Sequence, residues 1–296
     1  ACPRLDVVAV TATAGNVPAE QANRNLEAIV QLLDPPRRPR IGAAAPVDDI
    51  LPGIDGRKIH GPDGLGGARL PVSEHHNRHP AEKVICDALQ SAPGQVTMIC
   101  LGPLTNLARA LQYDPELPSY LGQIIMMGGS VAGIGNVTPA AEFNMYYNPG
   151  AAQQVFRSPT TKTLIPLDVT SQVTFSLDFL DELPSEFTRA GALLRKVVPF
   201  AFRAFRQELG LEGILLHDAV ALVAAIHPEL FETREMAGDV ETRGELTIPR
   251  WEETTSWCST RGLLKVSIHA RHCTTPSERL KTAKIGVVIA TSSRFR

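Results

Sequence analysis

No apolar run in this chain reaches the length needed to span a bilayer, and no charged-then-apolar leader pattern opens it. Neither a membrane span nor a secretory leader is expected. There is no surplus of either charge: 29 Lys and Arg stand against 31 Asp and Glu, for a net charge of -2. That balance argues against nucleic acid or an anionic membrane surface as the main partner. Cysteines are few and odd in number (Cys2, Cys86, Cys100, Cys258, Cys273), with neither a metal-ligand spacing nor a disulfide framework. Cys86 and Cys100 sit in apolar helix and strand patterns and read as core thiols, so a reducing cytoplasm is the expected setting. No strand runs into a G-x-G-x-x-G turn with an acid downstream, which excludes a dinucleotide-dependent oxidoreductase despite the α/β pattern described next.

What is present suffices for one large α/β domain: 296 residues, 44% of them hydrophobic. Apolar runs at 5–13, 40–45, 95–101, 123–127 and 162–170 read as strands. Helical spacing at 18–33, 81–90, 104–111 and 180–209 lies between and after them. Alternation of this kind implies βαβ units and a mainly parallel, Rossmann-like sheet flanked by helices. In such sheets ligands bind beyond the carboxyl ends of the strands. Three strand ends carry turn and polar residues suited to a site: Ala14-Gly15-Asn16, Leu101-Gly102-Pro103 and Met127-Gly128-Gly129.

The richest stretch runs from 126 to 156. A buried strand stops at paired glycines, which let the backbone turn sharply and approach a ligand. Asn136, Glu142 and Asn144 follow among small residues, and Asn148-Pro149 then opens a helix as N-cap and first helical residue. One carboxylate and two carboxamides suit a polyhydroxylated ligand, because each can bind a hydroxyl in a fixed direction. The plainer alternative is a solvated loop whose Asn residues only make turns. A second polar pair, His217-Asp218, begins an apolar helix. Asp218 reads either as a first-turn acid that complements the helix dipole or as a ligand for a hard cation. His217 reads either as a satisfied neighbour or as a proton donor to a leaving group.

Taken together, these segments resemble the inosine-uridine-preferring nucleoside hydrolases. The matching pieces are VTATAGNV (10–17) with Asn25, HGPDGLGG (60–67), LGPLTNLA (101–108) and MMGG...GN...AEFN...NPGAA (126–152). LHDAVALV (216–223), HPELF (227–231) and DVETRGELT (239–247) complete the set, in family order. The resemblance implies hydrolysis of the N-ribosidic bond of nucleosides to ribose and free base, dependent on Ca2+. It assigns Asn16, Met127, Asn136, Glu142 and Asn144 to ribose, and Asp218 with the carbonyl of Leu101 to calcium. His217 falls to the leaving base, and His60 to a base pocket of the pyrimidine-leaning type. A cytoplasmic homodimer or homotetramer is implied as well.

Two departures from that family shape further expectations. The family's Asp-rich D-x-D-P-G-x-D-D strand, which supplies most calcium ligands and a base, would stand just before Ala1. The chain therefore reads as an N-terminal truncation of a hydrolase, or as a ribonucleoside-binding remnant that has lost its metal site, with negligible activity as it stands. Asp48, Asp49 and Asp55 read as solvated loop residues. Without a first strand, the sheet is expected to open beside β-branched residues such as Val8 and Val10. After Thr247 the composition shifts. Residues 1–248 are expected to form the hydrolase-like domain and 249–296 a divergent, poorly packed tail, in which 264–268 and 284–290 could form strands.

Overall fold

A computed structural model describes residues 5–47, 55–71, 78–131, 134–242, 264–270 and 285–291. Its strands in chain order are β1 (Leu5–Ala12), β2 (Arg40–Ala43), β3 (His79–Pro80), β4 (Val96–Cys100), β5 (Gln123–Met127) and β6 (Lys162–Ile165). They continue with β7 (Thr174–Phe175), β8 (Ile214–Leu215), β9 (Phe231–Met236), β10 (Leu264–Ala270) and β11 (Ile285–Thr291). Nine of these make one sheet in the order β3-β2-β1-β11-β4-β5-β6-β10-β9, while β7 and β8 form a separate antiparallel pair. Every pairing in the large sheet is parallel except β9 with β10.

Successive strand residues face opposite ways, and the central strands use both faces. Met98, Cys100, Ile124 and Met126 pack on one side against the helices Ala81–Ser91, Thr105–Tyr113 and Pro149–Arg157. Ile99, Leu101, Ile125 and Met127 pack on the other, against Ala19–Leu33 and His217–Ile226. The result is a three-layer arrangement with the polar strand ends gathered on one rim. Cys86 and Cys100 are free, buried thiols, and burial pushes them up to about 11 and about 12.

Three expectations need correction. The apolar run at 162–170 is not one strand. Pro166 has no N–H to continue the ladder, so β6 ends at Ile165 and the chain coils into the single turn Leu167–Thr170. The helical stretch at 180–209 splits into Phe179–Glu182 and Arg189–Leu209, with Pro184 in the break. Nor is the sheet open beside β1. β11 lies between β1 and β4, with Ala9 opposite Val288 and Ile289 opposite Ile99, and Val10 is buried. The two strands expected after residue 248 are thus members of the same sheet as β1 to β6.

Candidate active site

The rim at the carboxyl ends of β1, β4, β5 and β6 borders a cavity of about 680 Å³. Asn16 lies just beyond β1, Leu101 beyond β4 and Met127 at the end of β5. His217 and Asp218 enter from the start of their helix.

The loop after β5 is shaped around Glu142. The Glu142 carboxylate caps the short helix Phe143–Tyr147, accepting from the amides of Asn144 (2.9 Å) and Met145 (3.2 Å). It also accepts from the amide of Gly129 (2.9 Å) back at the strand end. This closure explains the glycine pair. A Cβ on Gly128 would stand 2.6 Å from Met145 Cε and 3.0 Å from Glu142 Oε2, and Gly129 adopts φ +70°, a left-handed conformation that glycine tolerates. Glu142 is 1% exposed, and burial pushes its carboxyl up to about 7, against the pull of the three amides. The Asp218 charge nearby adds to the rise. Asn144 is held by the carbonyl and sulfur of Met127 through its Nδ2 (3.1 and 3.4 Å), and Asn136 Oδ1 accepts from the Phe143 amide (2.8 Å). All three side chains border the cavity. The open-loop alternative for this stretch therefore fails for Glu142 and Asn144, which are buried. Asn148 caps the helix Pro149–Arg157, accepting from the Ala151 amide at 3.0 Å.

Also at the cavity, His217 Nδ1 lies 2.7 Å from Thr170 Oγ1. Asp218 is buried in the first turn of the same helix and borders the cavity. His60 closes the short helix Arg57–His60, whose following loop is braced by Asp63. That carboxylate accepts from the amides of Leu65 (2.9 Å) and Gly67 (2.8 Å), and the Gly66 amide donates to the His60 carbonyl (2.8 Å). All nine residues singled out from sequence (Asn16, His60, Leu101, Met127, Asn136, Glu142, Asn144, His217, Asp218) thus border one cavity.

Other residues at the cavity went unrecognised. Asp55 is one: an exposed loop residue, as expected from sequence, it pairs with Arg57 (2.8 Å) and borders the cavity. Asp48 and Asp49 lie outside the described residues. Asp168 was obscured by the over-long strand at 162–170. Ending the strand at Pro166 would have marked Asp168 by the same strand-end rule as Asn16, and it accepts from the Val131 amide at 2.7 Å. Phe143, Phe205 and Leu209 supply apolar wall that no local pattern announces.

For the calcium ion implied by resemblance, the donors that resemblance assigns are the Asp218 carboxylate and the Leu101 carbonyl, both at the cavity. No group of three or more His, Cys, Asp or Glu side chains able to hold a metal occurs among the described residues. Calcium takes about six to eight oxygen ligands. The described donors do not make up such a shell.

The model of the inosine-uridine preferring nucleoside hydrolases matches residues 1–287. The chain belongs to that family. Among curated relatives, the hydrolase is 37% identical over 249 residues to a non-specific ribonucleoside hydrolase, RihC, of Salmonella enteritidis PT4. The match covers 83% of this chain and 78% of the relative, and RihC of Shigella boydii serotype 18 matches at the same level. Among solved structures it superposes on a plant nucleoside hydrolase, PpNRh1, with a TM-score of 0.83 at 28% identity, covering 90% of this chain and 87% of the other. A purine-preferring ribonucleoside hydrolase from Gardnerella vaginalis gives 0.82 at 28% identity, covering 90% and 86%. The hydrolase is by family an enzyme of the N-glycosyl bond of nucleosides. No helix among its described residues is long and apolar enough to cross a membrane.

Proposed function

We propose that this hydrolase binds a ribonucleoside with its ribose among Asn16, Met127, Asn136, Glu142 and Asn144 and its base toward His60 and His217. The observation that carries the reading is the buried Glu142 carboxylate, fixed by three backbone amides beside a cavity that both asparagines of its loop also line. Its position is set before any ligand arrives, as a sugar-recognising group requires. Hydrolysis of the N-glycosyl bond passes through an oxocarbenium-like state in which the ribose ring flattens. Hydroxyls gripped more tightly in that geometry than in the ground state lower the barrier. His217 meets the departing base. Both inosine and uridine are substrates in this reading. Its support is the wall formed by Phe143, Phe205 and Leu209, apolar surface that does not demand one base, together with the non-specific relatives.

Calcium dependence belongs to the resemblance. Asp218 and the Leu101 carbonyl are the residues that would face the ion. Ribonucleoside binding without turnover is the second reading, and it rests on the same sugar-binding residues. One experiment separates the two: incubation of the full chain with inosine or uridine, with and without added calcium, reading released ribose and, by calorimetry, binding. Ribose release supports the hydrolase reading. Saturable binding without release supports the second, and neither binding nor release would remove both.

A further inference from the structure

Thr170 is buried to 0% exposure in the single turn that follows β6, and its hydroxyl reaches His217 Nδ1 at 2.7 Å. Among the described residues this is the one hydrogen bond its hydroxyl makes, while its backbone N–H donates to the Pro166 carbonyl (3.1 Å). A hydroxyl is one donor with two acceptor lone pairs. Leaving a buried O–H without an acceptor carries the full desolvation penalty of that group, whereas a hydroxyl oxygen tolerates an unused lone pair far better. If Nδ1 carried the imidazole proton, it would donate to Oγ1, and the buried hydroxyl hydrogen would be left with no acceptor among the described residues. The satisfied arrangement is the reverse, with Thr170 Oγ1 donating to Nδ1.

We propose that Thr170 is a positioning residue that fixes the tautomer of His217. The neutral ring then carries its proton on Nε2 and offers an N–H to an acceptor atom on the nucleobase. This rests on the reading above that His217 meets the base, and it specifies how. His217 acts as a hydrogen-bond donor to negative charge developing on the departing base, and the opposite tautomer would present a lone pair there and repel it. A hydroxyl that locks a ring nitrogen in this way acts as a partner behind the working group, and the tautomer depends on it.

The test is nitrogen-15 histidine spectroscopy of the full chain at alkaline pH, where the rings are neutral. His217→Ala identifies the signal among the eight histidines. The expected result is the Nε2–H tautomer in the unaltered protein and in Thr170→Ser, and a mixture of tautomers in Thr170→Val. An Nδ1–H ring in the unaltered protein overturns the proposal without any variant, as does an unchanged single tautomer in folded Thr170→Val. Activity adds a second readout. Thr170→Val should lower kcat/KM for inosine about tenfold or more, while 4-nitrophenyl β-D-riboside, whose leaving group needs little help, changes by about twofold or less. If His217→Ala slows both substrates equally, the role of His217 at the base fails. If it is selective and Thr170→Val is not, only the role of Thr170 fails.

Discussion

Side chains in this site are held mainly by backbone, and that makes single substitutions informative. Gly128→Ala would drive a methyl group into Met145 Cε and Glu142 Oε2. Overpacking of this kind costs about 1–3 kcal/mol, so chemical denaturation should show a loss in that range, and nucleoside binding should weaken with it. Asn144→Ala removes the bonds to Met127 and the amide facing the cavity. Binding of a ribonucleoside should weaken about tenfold, a loss of roughly 1–2 kcal/mol, measurable by calorimetry. Lys162 gives a pH test away from the site. Its ammonium is buried, donates to the carbonyls of Ser158 (2.6 Å) and Thr160 (2.9 Å), and is pushed down to about 8 by burial. The folded state therefore binds this proton less tightly than the unfolded chain, whose lysine titrates near 10.5. The resulting penalty is full below about 8 and is relieved as pH rises from there to 10.5. Stability relative to Lys162→Met should accordingly rise across that window, and a flat difference would show that the ammonium is not desolvated as described.

At the level of elements, the strands were legible wherever an apolar run ended on a turn, as at β1, β4 and β5. The helix at Pro149 was legible because Asn148-Pro149 carries both cap and first-turn chemistry. Legibility failed where one proline decided the outcome. Pro166 and Pro184 interrupt the patterns on either side of them, and the turn that follows Pro166, Leu167–Thr170, holds both Asp168 and Thr170. Pairing partners were the other blind spot. Nothing local in 285–291 says that it belongs between β1 and β4, because sheet order is set by long-range pairing. That placement gives β1 a partner on each side. Backbone amides of Ile285–Thr291 should therefore exchange as slowly as those of β4 and β5, being interior to the sheet. Fast exchange there, with slow exchange in β4 and β5, would remove β11 from the sheet.

Across the whole molecule, the parallel sheet brings together residues that lie far apart in sequence. Asn16, Leu101, Met127, Glu142 and Asp218 reach one cavity because each follows or faces a strand end on the same rim. The loop after β5 stood out in composition, with a carboxylate and two carboxamides between a glycine pair and a helix cap, while its assignment to ribose comes from the family resemblance. The apolar wall did not, because Phe205 and Leu209 come from the far end of a long helix whose path depends on its packing against Leu183 and Ile214. The proposed grip on ribose runs through Glu142 and its neighbours. Calorimetric titration of the full chain with inosine, beside Glu142→Ala together with Asn144→Ala, tests it most directly. Saturable binding to the unaltered chain and a loss of about a hundredfold or more in the double variant are expected. Equal affinity of the two proteins for inosine would contradict that grip.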